Sequence, residues 1–168
     1  FSYEAAMKLG GTFLLRIEDI DSQRSSKVFE ESIYEDLEWL QIKYSTEIRH
    51  QSEHMEDYKG AIKELQKLDM VYPCFCSRSE IKAEIMRAGN APHEEESSIY
   101  PGTCRRLSKE ERFEKISKEI SYAWRLNIRA ASKKIGNLSW NDLRLGNHVL
   151  PVGTMGDVVL ARKDVPTS

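Results

Sequence analysis

Residues 12–21 read Thr-Phe-Leu-Leu-Arg-Ile-Glu-Asp-Ile-Asp, a short apolar run that breaks off into three carboxylates. Bounded by Gly10-Gly11, a run of this length predicts a strand buried on both faces, as in a parallel sheet covered by helices. In open sheets of that kind ligands sit beyond the carboxyl ends of the strands, where Glu18, Asp19 and Asp21 would lie. The acids also have a plainer reading. Carboxylates favour helix starts, and Asp21 or Ser22 stands ahead of Ser25-Ser26 and a long amphipathic segment that either residue could cap. Arg16, a cation inside the apolar run, needs a neighbouring acid and is read as structural.

Periodicity extends this into an alternating pattern of helix and strand. Residues 2–9 predict a helix closed by Gly10-Gly11. From 26 to 40, Val28, Phe29, Ile33, Leu37 and Leu40 fall at helical spacing and predict a core-facing stripe. A further helix over 53–68 sets Tyr58, Ile62, Leu65 and Leu68 on one face, and His50 and His54 flank the turn before it as surface residues. After Val71-Tyr72-Pro73 the texture changes to a compact segment with all three cysteines, a short helix over 79–87 and a Gly/Asn/Pro/Ser-rich loop at 89–98. Ser108-Lys109-Glu110-Glu111 is a capping box that opens a helix to about residue 120. Trp124, Leu126 and Ile128 then alternate with Arg125, Asn127 and Arg129 as a strand. Further strands are predicted over 138–142, 147–152 and 156–162, with Gly136, Gly146 and Gly153 as turn signals. There is no internal repeat and no low-complexity tract.

With 168 residues, 40% of them hydrophobic, the chain can build the core of one ordinary domain. A net charge of −2 argues against a uniformly basic nucleic-acid binder. The charge is unevenly spread: residues 1–60 carry 7 Lys+Arg against 13 Asp+Glu, and residues 61–168 carry 18 against 14. The positive part could meet a phosphate backbone, although solvated helix faces give the same imbalance. No apolar stretch reaches the roughly 20 residues of a bilayer span, and no signal segment opens the chain, so the expected compartment is the cytoplasm, with no membrane partner. Opening on Phe1-Ser2-Tyr3 and stopping at Thr167-Ser168, the sequence reads as a piece of a longer protein.

Cys74-Phe75-Cys76 and Cys104, the last led into by Tyr100-Pro101-Gly102-Thr103, are an odd number of cysteines in a cytosolic setting, which disfavours a disulfide framework. Two thiolates one residue apart can hold one metal ion, and a turn at Pro101-Gly102 would bring Cys104 and Tyr100 to it. Soft sulfur ligands and a tetrahedral site suit zinc. Tyr100 and His93 both stand as the fourth donor, and three ordinary buried cysteines remain the alternative to a metal. A structural zinc would explain how a loop-rich segment with few apolar anchors holds its shape.

In order, Gly10-Gly11-Thr12-Phe13-Leu14-Leu15-Arg16-Ile17-Glu18-Asp19-Ile20-Asp21, Arg24, Leu37-Glu38-Trp39-Leu40, Tyr72-Pro73-Cys74-Phe75-Cys76-Ser77 and Tyr100-Pro101-Gly102-Thr103-Cys104-Arg105 resemble class I glutamyl-tRNA synthetases over nearly the whole chain. Within them, Gly156-Asp157-Val158-Val159-Leu160-Ala161-Arg162-Lys163-Asp164 resembles a strand of the short paralogue that lacks an anticodon-binding domain. That paralogue attaches glutamate to queuosine in the anticodon loop of tRNA(Asp). The resemblance implies an α/β fold: part of a Rossmann-type catalytic domain with an inserted zinc-binding subdomain and a following strand-rich segment. The expected divisions are 1–70 for the catalytic part, 71–107 for the cysteine insertion and 108–168 for the helix and strands that return to the catalytic domain, in a fragment lacking both ends.

The resemblance implies a ligase that activates glutamate with ATP and Mg2+ and passes it to tRNA, acting as a monomer. Glu18 would meet the α-ammonium of glutamate in a charge-assisted hydrogen bond. Asp19 and Asp21 would shape the pocket mouth or the approach of the RNA, and Cys74, Cys76, Tyr100 and Cys104 would hold a structural Zn2+. Arg105, Arg106, Lys133 and Lys134 are candidates for an RNA-facing surface. The family's HIGH-type motif, which holds ATP, is expected upstream of Phe1 and its KMSKS-type loop downstream of Ser168, so the piece alone is expected to be inactive, with no nucleophile–base pair of its own. The rival readings are the tRNA(Glu)-charging enzyme, a noncatalytic zinc-stabilised RNA-binding derivative of the fold and, last, an Mg2+ phosphohydrolase using Asp19 and Asp21.

Overall fold

The computed structural model describes residues 1–21, 25–87, 99–136, 138–150, 155–165 and 167. The loop at 89–98 with His93, as well as Ser22, Arg24 and Gly153, lies outside the described residues. The chain divides into two compact units, Phe1–Asp57 and Tyr58–Ser168.

In the first unit α1 (Ser2–Lys8) is closed by Gly10 at φ +66°, with Gly10 N–H donating to Met7 O (3.2 Å) and Gly11 N–H to Ala6 O (2.8 Å). These paired bonds are a Schellman ending, and its left-handed residue is least strained as glycine. Strand β1 (Arg16–Ile17) follows, then α2 (Lys27–Trp39), then β2 (Arg49–His50), which runs parallel to β1 with Arg16 opposite Arg49 and Ile17 opposite His50. A parallel pair needs a crossover, and α2 supplies it.

Three expectations are corrected here. The strand expected over 12–18 contracts to two ladder residues, and burial on both faces gives way to alternation: Leu14 is 73% exposed and Ile17 8%. One covered face gives a period of two, whatever the run of apolar residues. The stripe of α2 is not core, since Val28 is 66% and Phe29 62% exposed and no residue of the helix is buried. Finally, the N-cap of α2 is Ser26, whose side chain accepts from Phe29 N–H, so the cap is not Asp21.

A 3-10 turn, Gln51–His54, leads into α3 (Met55–Lys67), which runs into the second unit. That unit continues with β3 (Val71–Cys74), α4 (Arg78–Arg87), a 3-10 turn at Cys104–Arg106, α5 (Lys109–Ser117), β4 (Ala123–Leu126), α6 (Ile128–Ile135), the hairpin β5 (Ser139–Asp142) and β6 (Gly146–Val149), and β7 (Val159–Ala161). Strands β3, β4 and β7 form an antiparallel sheet in that order, with Val71 opposite Leu126 and Cys74 opposite Ala123. Pro73 is tolerated because β3 is an edge strand.

The expected capping box is present: Ser108 accepts from Glu111 N–H (3.1 Å) and the Glu111 carboxylate accepts from Ser108 N–H (2.7 Å). The helix stops at Ser117, short of residue 120, because Glu119 turns to φ +54° and closes it. The alternation expected through Arg129 ends at Leu126. There the Asn127 side chain accepts from Ala130 N–H (3.2 Å) and starts α6, a helix that hydrophobic alternation concealed.

One buried cluster of this unit is Tyr72, Cys74, Tyr100 and Cys104, flanked by Phe75, Cys76, Ile81 and Leu107, and Ile62, Met70, Val71, Ile85, Ala131 and Ala161 are buried as well. Beside the cluster stands Asp157, its side chain 0% exposed. The carboxylate accepts from the Tyr72 hydroxyl, the Arg105 guanidinium and Ile128 N–H, and the Asp157 carbonyl accepts from Arg125 Nη1 at 2.6 Å. One buried acid thus joins β3, the 3-10 turn, α6 and β4. Replacing it by Ala would strand a buried cation, a hydroxyl and an N–H. We expect Asp157→Ala to lower unfolding stability by about 3 kcal/mol or more in denaturant titration, against under about 1 kcal/mol for Asp164→Ala, which breaks only the exposed Arg162–Asp164 pair.

Candidate functional site

The first unit carries an open cavity of about 820 Å³ between the end of β1 and the start of α2, lined by Glu18, Asp19, Glu30, His50 and Glu53 among others. Glu18 is exposed and ion-paired to Arg16, which is itself exposed, so the buried cation expected inside the run is corrected: its side chain lies on the open face of β1. Asp19 is engaged differently: its carboxylate accepts from Ser52 N–H (2.8 Å) and Ser52 Oγ (2.5 Å). Burial works to raise the Asp19 pKa, but the bonds from Ser52 outweigh it and hold the carboxyl below its usual range. The Asp21 carbonyl accepts from Ser25 N–H (2.8 Å).

Deeper along the same wall, His50 Nε2 meets Glu30 Oε1 at 2.7 Å, and the Tyr34 hydroxyl also donates to Glu30. His54 Nδ1 lies 3.1 Å from Asp57. The bond to Glu30 raises the His50 pKa above its ordinary 6.5, and the bonds from His50 and Tyr34 lower that of Glu30 below its ordinary 4.5. A raised histidine stabilises below 6.5 and loses its contribution as pH rises through the raised value; a lowered carboxylate stabilises above 4.5 and loses its contribution as pH falls through the lowered one. The pair therefore contributes most between those two values. We expect an NMR titration of the His50 ring to centre above 6.5 and to move back toward it in Glu30→Gln, with the stability lost from about pH 6 to pH 8.5 shrinking in that variant.

In the second unit the turn at Gly102 brings Tyr100 and Cys104 together with Cys74 and Cys76. Gly102 has φ +78°, which favours glycine, and a Cβ there would fall 2.5 Å from an Arg105 guanidinium nitrogen and displace that side chain. All three cysteines are free, and their sulfurs lie within 4.8 Å of one another. Cys76 Sγ is 3.4 Å from Cys104 Sγ, and the Tyr100 hydroxyl is 3.4 Å from Cys74 Sγ and 3.5 Å from Cys76 Sγ. A zinc tetrahedron with sulfur at about 2.3 Å and oxygen at about 2.0 Å has S···S edges of about 3.8 Å and S···O edges of about 3.5 Å, so this donor set fits the ion.

The surroundings favour the thiolate at Cys104 and disfavour it at Cys74. Hydrogen bonding from Cys74 comes first and, with that of Tyr100 and Phe75 N–H, outweighs burial to hold the Cys104 thiol down at about 6. Cys74, which gives up that bond, is pushed up to about 12, with burial adding to the effect. Burial pushes the Tyr100 phenol up, and Cys104 N–H donates to its oxygen at 2.9 Å. Among the described residues this is the cysteine-bearing cluster with ligand spacing, and the set gathered is the one read from the sequence.

The RNA-facing reading of Arg105 is corrected. Its side chain is 18% exposed and spent on Asp157, so it belongs to the buried network, whereas Arg106, Lys133 and Lys134 are exposed. The sequence also concealed Arg125. Alternation with Trp124 and Leu126 sends it to solvent, yet the register places it opposite Tyr72, diagonal to Cys74, with its guanidinium 4.1 Å from the centre of the Tyr100 ring.

The family model for class I tRNA synthetases (E and Q), catalytic domain, matches residues 1–167. The chain belongs to this family. A glutamate–tRNA ligase of Hydrogenobaculum sp. is 38% identical over 98% of this chain and 34% of that protein. Glutamyl-Q tRNA(Asp) synthetases of Symbiobacterium thermophilum and Rhodobacter capsulatus are 36% and 33% identical, over 95% and 99% of this chain and 50% and 61% of theirs. Among solved structures, the glutamate–tRNA synthetase of Elizabethkingia anophelis superposes with a TM-score of 0.77 at 26% identity, over 99% of this chain and 35% of that one. The chain thus spans about a third of the glutamate–tRNA ligases it matches. The resemblance read from the motifs, the α/β class I synthetase catalytic fold and the ligase family are borne out. Among the described residues no helix is long and apolar enough to cross a membrane.

Proposed function

We propose that this chain is part of a cytoplasmic enzyme that activates glutamate with ATP and Mg2+ as glutamyl-adenylate and transfers it to queuosine in the anticodon loop of tRNA(Asp). The observation that carries the activation step is Glu18 at the end of β1, on the rim of an open cavity, in a chain matched along its length by the synthetase catalytic domain. Its carboxylate binds the α-ammonium of glutamate, taking over from the contact with Arg16. The glutamate α-carboxylate then attacks the α-phosphorus of ATP, releasing pyrophosphate, and an RNA hydroxyl later attacks the acyl carbon of the adenylate, taking the glutamyl group and releasing AMP. Asp19 stabilises this edge of the pocket through Ser52, and catalysis rests on position and charge rather than on a protein nucleophile.

Queuosine as the acceptor is supported by the Gly156–Asp164 strand motif and by glutamyl-Q tRNA(Asp) synthetases among the relatives. The glutamate–tRNA ligase at 38% identity favours a second reading, the charging of tRNA(Glu). Residues 71–107 are read as a structural zinc insertion on Cys74, Cys76, Tyr100 and Cys104, and zinc supplies cross-linking there rather than an activated water. Arg106, Lys133 and Lys134 are the residues placed to meet RNA.

Glutamate-dependent ATP–pyrophosphate exchange by the full-length protein tests the reading. Exchange without tRNA supports the queuosine-modifying enzyme, exchange only with tRNA(Glu) the charging enzyme, and none under either condition a noncatalytic derivative. We expect Glu18→Ala to lower kcat/KM for glutamate by about 10- to 100-fold while the ATP dissociation constant stays within about twofold. Elemental analysis should find one zinc per chain, with Cys76→Ser and Cys104→Ser losing it and the unfolding midpoint falling with it.

A further inference from the structure

A zinc ion held by three thiolates leaves a surplus of negative charge in a site where Cys74 and Cys104 are 1% and 4% exposed. Surplus charge away from water needs a counter-charge close by. Of the cations near it, Arg112 stacks on Tyr72 at 5.7 Å and donates to the Arg105 carbonyl, Lys163 donates to the Phe75 carbonyl, and Arg105 and Arg125 are bound to Asp157. Arg105 already has its carboxylate in Asp157. Arg125 has none among the described residues: its Nη1 goes to the Asp157 carbonyl, a neutral acceptor, and its Nε is buried without a hydrogen-bond partner. The β3–β4 register sets Arg125 on the face of Tyr72 and Cys74, and its guanidinium lies over the Tyr100 ring. A half-buried cation without an acid therefore stands against two of the four candidate ligands.

Resting on the zinc reading above, we infer that Arg125 is the counter-charge of the metal centre, a positioning residue that holds the Tyr100 ring in place and balances the thiolates. Arg105 and Asp157 are a closed pair that fastens the lobe, whereas Arg125 is completed only by the charged ligand set. This gives zinc binding and the β4 strand a common determinant: the same side chain that reaches the Asp157 carbonyl answers the charge at Cys74 and Tyr100.

The test is zinc affinity of the full-length protein, measured by competition with a chromogenic chelator after metal removal, together with the thiolate-to-cobalt band of the Co2+-substituted form. We expect Arg125→Met to weaken zinc by about 10- to 100-fold and to shift the cobalt band, with Arg125→Lys recovering most of the affinity because the charge is kept. Tyr72→Phe, which loosens the same core through Asp157 without touching a ligand or the charge, is the control for packing and should leave affinity within about twofold of the parent. An Arg125→Met affinity within twofold of the parent overturns the assignment, as does a Tyr72→Phe loss as large as that of Arg125→Met, which would make the effect one of fold stability. A parent that binds no zinc overturns the metal reading and this assignment together, so the two failures are distinct.

Discussion

A carboxylate sealed from solvent has to be answered on every oxygen, and in the second unit Asp157 imposes that requirement on three separate parts of the chain. Tyr72 lies 85 residues away, Arg105 52 and Ile128 29, so the bonds that satisfy it also close long loops. The apolar cluster beside it, Tyr72, Cys74, Tyr100 and Cys104, is small, so polar fastening adds to burial in holding these short strands and turns together. Breaking a buried pair costs far more than a surface one, because the partner left behind stays buried and charged.

The same economy explains why the candidate metal centre and this cluster are one set of residues. Tyr100, Cys74 and Cys104 are packed as apolar side chains and, at the same time, present oxygen and sulfur to one point. Gly102 makes this possible by turning the chain where a Cβ would displace the Arg105 side chain, so Tyr100 and Cys104 face one another across a tight turn. A metal in such a place contributes folding free energy directly.

How much of this was legible in the sequence depended on whether the signal was local. The α5 capping box is a contact between residues three apart, and it was read correctly; the helix overran only because Glu119 adopts a left-handed conformation that its side chain does not announce. The Cys-x-Cys pair and Cys104 marked three donors that could meet, whereas spacing left Tyr100 and His93 both open as the fourth and only the resemblance favoured Tyr100. By contrast, the α2 stripe of Val28 and Phe29 was visible while its exposure was not, since periodicity tells which face is apolar and not what covers it. Helix α6 was hidden because Asn127 caps it within a run that still alternates, a side-chain bond overriding a pattern. Arg125 and Asp157 were opaque for a different reason: their partners are tens of residues distant, and nothing local distinguishes them from solvated charges.

At the end of β1 the three carboxylates that drew attention as a cluster divide into different jobs. Asp19 spends both oxygens on Ser52, fixing the 3-10 turn Gln51–His54 against the strand end. An acid so engaged cannot also meet an incoming ammonium without giving up two hydrogen bonds. Glu18 is held only by Arg16, two residues along and exposed, a contact that solvent screens and a ligand can replace at little cost. Of two adjacent acids at one strand end, the weakly held one is the freer to meet a ligand and the doubly held one the more firmly fixed. That ordering follows from the bonds each carboxylate would have to surrender.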